Sequence, residues 1–588
     1  MKKLLLSAAL LCSLLSVKAS NPVLNWAYAI DSKYANDQIG GIVLTSDNKY
    51  VSYSHFASQA AGDGLSYAGE VIATGAASSS EGRNLIIIKH DTDGKKLWAV
   101  YSKDGYFDAA SGSVIATPDG GVLVLTKPRG TQVSATSYAV PVLVDATGAE
   151  TELSDFPTLN WTYNTVLLKI SADGAIEWYR EFAMDELPFA GTTKATTDAV
   201  TPYGLTVDAS GNIYVGGNFR APIVFTGEKN SHYILQPRNA TSNATSGGLF
   251  LVKLDGEGNF VGQVKAEGVV TREQISGLAY ADGKIYFYGN VQGAADATLT
   301  VGDKSITLEN DLDGLFYGAI SEDLSVSFLS YVKPFGSTDS KHTTQTKALR
   351  VIDGDIYMLG LVKGGFAPAG SASATITSET TTLDRYLIQA SGTDGSWKSA
   401  AAQTAKVNDK ATVSGYFDLF KYNNEVYAYG YALNATLGVF IDKYADNDKF
   451  ESPEQLLLVT GGGTPTTASG CAFDSNTGNV VVSARGNNTF KFAGSEETVS
   501  PIDNKFGAVI ASFSLNDIAS INQSIAKEST TYSAVTGGVN INAARPLDVN
   551  IYNAAGAKVA ARSVEAGTTH IDLPQGVYLV NDTKVVVK

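Results

Sequence analysis

Seven times along the chain one phrase returns: an apolar stretch, a tight polar turn, then a β-branched and aromatic stretch ending in small residues. The copies occupy residues 40–54, 112–126, 203–217, 276–289, 347–360, 417–430 and 469–484. The second copy spells a β-hairpin most plainly, because its turn Pro118-Asp119-Gly120-Gly121 supplies conformations that the flanking β-branched residues resist. Copies spaced roughly 50 to 90 residues apart have the period of sheets stacked in an array, and no copy can bury both faces of its sheet alone.

A second hairpin follows in most units. Residues 84–101 and 164–182 are near copies of each other, each with an Asp-Gly turn (Asp93-Gly94, Asp173-Gly174) and a tryptophan (Trp98, Trp178). Residues 248–264 and 315–332 follow the same plan, and 386–402 keep Asp394-Gly395 and Trp397. Four strands per unit and seven units predict an all-β chain built as a seven-bladed β-propeller. The seventh unit has a third strand at 506–514 and no fourth before the composition changes near Asn516, while the stretch around Trp26 precedes the first hairpin without a partner. That N-terminal stretch is expected to pair with 506–514 and close the ring, leaving no open edge between units.

Composition agrees with strands. Of 588 residues, 44% are apolar and 18% charged, with 58 Gly, 29 Tyr and 3 Met, which suits many short strands better than long helices. A net charge of -15 and a pI near 4.9 oppose a nucleic-acid surface, which needs clustered Lys and Arg. Residues 1–19 read as a secretory signal: Lys2 and Lys3, an apolar run from Leu4 to Leu15, then Val17-Lys18-Ala19. Leu11 before Cys12 is too large for a lipoprotein signal. With Cys12 removed only Cys471 remains, so packing and not an internal disulfide must hold the mature fold; Cys471 occupies a position held elsewhere by Val43, Ile115 or Leu349 and reads as a small apolar residue.

The expected domains are the signal peptide at 1–19, the propeller at 20–515 and a third module at 516–588. In that module six short strands divided by turn residues predict a small Ig-like β-sandwich. Its Ile551-Tyr552, Gly556-Ala557-Lys558-Val559, Leu573-Pro574-Gln575-Gly576-Val577-Tyr578 and the Lys- and Val-rich end at Lys588 resemble the C-terminal sorting domain of the Bacteroidetes type IX secretion system. The resemblance implies Gly556, Gly576, Tyr578 and Lys588 as sorting-signal residues, the type IX machinery as partner, and a cell-surface or outer-membrane destination with attachment to lipopolysaccharide. The propeller repeats resemble those of bacterial seven-bladed propellers, quinoprotein-like ones included, and the whole chain resembles immunoreactive surface antigens of Porphyromonas.

Local motifs name no reaction and no cofactor. His55, His90, His232, His342 and His570 form no two-histidine metal motif, and no Gly-x-Ser-x-Gly elbow or P-loop occurs. Asp91-Thr92-Asp93-Gly94, Asp255-Gly256-Glu257-Gly258 and Asp311-Leu312-Asp313-Gly314 have calcium-like spacing but lack the rest of an EF-hand loop, and read as turns. The sequons at Asn160, Asn239 and Asn434 read as accidental in a chain with a bacterial export module. Long insertions at about 55–83, 127–163, 218–247 and 361–385, each between a second and a third strand, predict one elaborated face. Tyr67, Arg129, Tyr138, Trp161, Arg220, Tyr233 and Arg385 are its candidate contacts. These features predict a non-enzymatic surface protein that binds a host protein or glycan; the alternative is a surface hydrolase or lyase acting on peptide or polysaccharide.

Overall fold

A computed structural model of the protein describes residues 22–32, 38–57, 64–74, 83–107, 113–134, 137–153, 165–184, 200–219, 223–225, 233–235, 248–268, 270, 272–336, 344–377, 384–403, 406–407, 410–411, 413–433, 438–444, 450, 453–461, 470–501, 507–515, 531–543, 546–565, 567–581 and 583–587. These residues form strands and turns and no helix. The chain divides into two compact units, one spanning Pro22–Ser514 and the other including Leu515–Lys588.

Within the larger unit seven antiparallel four-strand meanders succeed one another. The first comprises Gln38–Leu44, Tyr50–Ala57, Arg83–His90 and Lys96–Asp104; the second Ser113–Ala116, Val122–Thr126, Thr165–Ile170 and Ile176–Met184. The third comprises Val200–Val207, Ile213–Phe219, Gly248–Leu254 and Phe260–Val264; the fourth Arg272–Ala281, Lys284–Gln292, Gly314–Ser321 and Val326–Phe335. The fifth comprises Thr344–Ile352, Asp355–Val362, Asp384–Ser391 and Trp397–Gln403, and the sixth Val413–Tyr422, Glu425–Leu433, Val439–Tyr444 and Glu454–Gly461. The seventh takes Cys471–Asp474, Asn479–Gly486 and Gly507–Ser514 from late in the chain and its fourth strand, Val23–Ser32, from the start. Trp26 lies opposite Ser512 and Ile30 opposite Ala508, so the pairing expected from the unpartnered Trp26 stretch is present.

First strands touch in succession, from sheet one through sheet six, and the seventh meets the first again. Phe420 stacks on Phe473 at 4.1 Å between the sixth and seventh. Each sheet is therefore buried on both faces, and its strands divide their residues between two cores. Ile86 and Ile88 enter the core shared with the seventh sheet, while Leu85 and Ile87 enter the core shared with the second. This is why the third strands read as unbroken apolar runs and not as alternating ones.

The Asp-Gly turns and tryptophans of the repeat prove to be two halves of one joint. Gly94 has φ +77°, and a Cβ there would lie 2.6 Å from Trp26 of the preceding sheet. Gly174 at φ +87° sits in the same way on Trp98, and a Cβ would meet that ring at 2.8 Å. Glycine is required twice over at these turns, for the left-handed backbone and for the close approach of the indole. Trp26 Nε1 donates to Thr92 O and Trp98 Nε1 to Ala172 O, each at 2.9 Å. The N-terminal strand thus supplies the tryptophan that the seventh sheet would otherwise lack.

The insertions require a correction. Parts of the four stretches read as loops on an elaborated face are hairpins added to the outer strand of the preceding sheet. Gly64–Tyr67 pairs with the seventh sheet's Val23–Ser32, Val142–Val144 with Lys96–Asp104, Ile223–Phe225 with Ile176–Met184, and Gly365–Pro368 with Val326–Phe335. Two shorter insertions that the sequence reading passed over do the same: Thr298–Val301 pairs with Ala266–Gly268, just beyond the third sheet, and Phe490–Phe492 with Glu454–Gly461. Each hairpin seals the end of an outer strand whose backbone groups would otherwise need water. Five of the six also bury an apolar side chain: Leu65, Leu143, Leu299, Phe366 and Phe490 are all essentially inaccessible.

The smaller unit, taken alone, has a three-stranded sheet of Thr531–Val535, Gly538–Ala543 and Gly567–Asp572 and a four-stranded sheet of Lys558–Val564, Leu547–Asn553, Gly576–Val580 and Thr583–Val587. Val539, Ile541, Val549, Ile551, Val580 and Val585 build its core. Gly556 turns the hairpin after Asn553 at φ +80°, Gly576 opens a strand, and Tyr578 is buried with its hydroxyl donating to Pro574 O at 3.0 Å. Lys588 lies outside the described residues.

Candidate functional site

Three places in the larger unit bring polar or charged side chains together. The first is the inner circle of first strands. Five of these strands carry a register shift at one position, so that Gly40, Tyr203, Ser276, Lys347 and Phe417 are extra, unpaired residues. Each opens its sequence repeat. Near this edge Arg350 Nη2 meets Asp418 Oδ2 at 2.7 Å, joining the fifth sheet to the sixth. Desolvation pushes the Asp418 carboxyl above its usual range while Arg350 pulls the other way. Desolvation also drives the Cys471 thiol well up, so it is a poor nucleophile.

The second place is a groove of about 690 Å³ between the second and third sheets, at the turns joining their strands. Its polar groups are engaged with one another. Lys169 Nζ donates to both carboxylate oxygens of Asp119, at 2.8 and 2.7 Å. Arg180 lies over the Trp178 ring at 5.1 Å and donates to Glu257 O at 2.6 Å. Little is left there to recognise a ligand.

The third differs. A groove of about 630 Å³ runs between the fourth and fifth sheets, walled by Ser305, Ile306 and Thr307 of one added hairpin and by Pro368 and Ala369 at the end of another. Tyr317, Tyr331 and Trp397 supply its aromatic surface. Tyr317 is anchored, donating to Gly395 O at 2.5 Å. The Tyr331 hydroxyl and Trp397 Nε1 are buried, the first beside the Glu309 backbone and the second beside the Tyr317 side chain. Burial holds the Tyr331 phenol protonated by raising its pKa. Glu309 lines the groove as a carboxylate: burial raises its pKa, but the Gly370 amide and Lys333, whose Nζ is 2.9 Å from Oε2, outweigh it and keep the group ionised. An aromatic surface with hydroxyl walls and one fixed carboxylate suits a polar, uncharged ligand with apolar C–H faces.

Among the described residues, none of the candidate contacts lines this groove. Tyr67 is buried and donates to Gly94 O at 2.5 Å, within the hairpin that seals the seventh sheet. Arg385 is buried with its Nη1 2.8 Å from Asp442. Neither presents its side chain to a ligand on the surface, because the stretches they came from fold into the sheets. Arg129 is partly exposed with its guanidinium 4.8 Å above the Tyr106 ring. Tyr138 lies in Ser137–Ala139 opposite Gln132, and Tyr233 in Tyr233–Leu235 opposite Phe225. Trp161 and Arg220 fall outside the described residues. Trp397 and Tyr331 were visible only as members of the repeat; the groove they line depends on neighbours far away in sequence.

The histidine reading gains one detail. His90 Nε2 lies 2.8 Å from Ser52 Oγ, a Ser-His pair, but both residues are wholly inaccessible and no substrate reaches them. The calcium-like turns are held by their own aspartates: Asp91 Oδ1 accepts from the amides of Asp93 and Lys95, and Asp255 Oδ1 from those of Glu257 and Asn259.

No family model and no curated protein matches the chain. Solved structures with a similar course include the quinohemoprotein alcohol dehydrogenase of Comamonas testosteroni, at 10% identity and TM-score 0.32, covering 84% of this chain and 77% of that one. PorZ, a surface component of the type IX secretion system of Porphyromonas gingivalis, gives 8% identity and TM-score 0.26 over 93% of this chain and 81% of its own. Drosophila Semaphorin 2a gives 8% and 0.31 over 97% and 98%. These are distant likenesses in sequence and in superposition.

Proposed function

We propose that the chain is an exported cell-surface protein that binds a neutral glycan, without chemistry on it, in the groove between the fourth and fifth sheets. In this reading residues 20–515 are a seven-bladed β-propeller closed by the strand Val23–Ser32, and 516–588 are an Ig-like sorting domain. Residues 1–19 direct export, and the sorting domain engages the type IX machinery before attachment to lipopolysaccharide at the outer membrane. The carrying observation is that Tyr317, Tyr331 and Trp397 line one groove together with the hydroxyl-bearing Ser305, Thr307 and Ser396. Aromatic surface packs on the C–H faces of a sugar while neighbouring hydroxyls hydrogen-bond its polar edge.

The test is a glycan and matrix-protein array probed with the mature chain, wild type and Tyr331→Phe. Tyr331→Phe keeps the aromatic surface and is expected to change binding little, whereas Trp397→Ala removes part of that surface and is expected to abolish binding. Absence of any binding partner for a folded wild-type chain would sink the proposal. A surface hydrolase or lyase is the second reading, and one observation favours it: Arg350 and Asp418 place opposite charges together near the inner edge. In that case Arg350→Met would stop release of fragments from a polysaccharide or peptide panel, whereas a binding protein releases none.

A further inference from the structure

Five of the seven outer strands are sealed by a hairpin from the next sheet, and the third is met by one that pairs with Ala266–Gly268 just beyond it; the fifth sheet's meets none, among the described residues. The reason is in the sequence. Leu433 ends the second strand of the sixth sheet and Val439 begins its third, and the few residues between them are too short to form a hairpin reaching the neighbouring sheet. The end of Trp397–Gln403 that would receive such a hairpin reads Ala400-Ala401-Ala402-Gln403. It contains no proline and no charge, the usual devices that discourage a strand from pairing with another chain.

We propose that this edge is a docking site for an extended β-strand of another polypeptide. The six resident hairpins define the partner's chemistry. They pair antiparallel over three or four residues, as Gly365–Pro368 does with Val332 to Phe335 and Phe490–Phe492 with Val459 to Gly461. Five of them bury a Leu or Phe beside that strand. The incoming segment therefore carries a large apolar residue flanked by residues able to adopt β-structure, and backbone hydrogen bonds supply most of its affinity. Ala400 and Ala402 pack partly against the core shared with the fourth sheet, and Ala401 against the core shared with the sixth, so a side chain placed beside them meets apolar surface.

The experiment uses the mature full chain and a fluorescent peptide copying residues 486–500, the hairpin that occupies the equivalent edge of the sixth sheet. The expected result is saturable binding together with slowed hydrogen exchange at residues 400–403. A second chain carries residues 487–500 grafted between Leu433 and Gly438, so that the edge is filled from within. It should bind the peptide at least tenfold more weakly and show the slowed exchange without peptide. No saturable binding to the folded native chain, or binding with exchange at 400–403 unchanged, overturns the proposal. Undiminished binding to a folded graft whose own 400–403 amides are protected overturns it too. Should the graft fail to fold, the exchange measurement on the native chain decides alone.

Discussion

The seam between the fifth and sixth sheets and the other six seams solve one problem by different physics. At six junctions a hairpin crosses from one sheet to the outer strand of the last or to the residues just beyond it, adding backbone hydrogen bonds and, at five of them, a buried Leu or Phe as an apolar plug. At the remaining one a buried polar knot sits between the sheets. Arg385 reaches from the fifth sheet to Asp442 of the sixth, and its guanidinium stands 5.0 Å from the Tyr416 ring centre and 4.8 Å from that of Phe440. Tyr416 OH donates to Asp442 Oδ2 at 2.5 Å and lies 2.6 Å from Tyr444 OH, while Gln455 Nε2 donates to Asp442 Oδ1 at 3.1 Å. Desolvation pushes the Asp442 carboxyl up, and Arg385 with its hydrogen-bond donors pulls it back. The apolar plugs tolerate small errors of fit gracefully; the knot is satisfied as a whole or not at all.

The sharpest way to break this contrast is Arg385→Met. It leaves a buried carboxylate without its cation and should cost about 3–5 kcal/mol in urea unfolding. Adding Asp442→Leu should recover part of that loss, since the isolated charge is then gone too; a double variant less stable than the single one would show that the knot does not act as a charge pair. Leu143→Ala, which empties an apolar plug at the seam between the first and second sheets, should cost about 2–4 kcal/mol. Unlike the knot, it has no second substitution that restores it by neutralising a charge.

Much of this arrangement could be read before any coordinates. Turn residues at fixed offsets fixed the hairpins, and Trp26 betrayed the displaced fourth strand because it matched Trp98 and Trp178. What stayed hidden was the use of the insertions. A hairpin such as Gly64–Tyr67 is chosen by the edge it meets, and that edge, Ile30 to Ser32, lies some 33 to 37 residues away and belongs to a sheet otherwise made from the other end of the larger unit. Period and turn chemistry are local, whereas the acceptor strand is not. For the same reason Tyr67 and Arg385 looked like surface contacts: a long insertion suggests exposure unless its pairing is known. The groove between the fourth and fifth sheets was illegible because it joins Ser305, Pro368 and Trp397 from three separate insertions and turns.

Acid should separate the seams further. His90, beside Ser52 and 5.0 Å from the Tyr67 ring of the hairpin on the seventh sheet, is fully buried, and desolvation lowers its pKa to about 3 although the Gly94 backbone and Asp91 favour its charge. The folded state therefore takes up fewer protons than the unfolded chain. The resulting stability is complete above the ordinary histidine pKa near 6.5 and is lost as pH falls toward 3, by at most about 1.4 kcal/mol per pH unit. His90→Gln should flatten the stability profile between pH 6.5 and 4 while leaving the effect of Arg385→Met unchanged; a profile that keeps its slope would place the acid response elsewhere. The smallest effect belongs to the exposed rim of a sealed seam. Lys103 Nζ and Glu150 Oε1 lie 2.6 Å apart with both side chains about half exposed, so solvent and salt screen them. Lys103→Met should leave the unfolding midpoint unchanged within error, because the hairpin that carries Glu150 is held by Leu143 and its backbone pairing rather than by the charge at its tip.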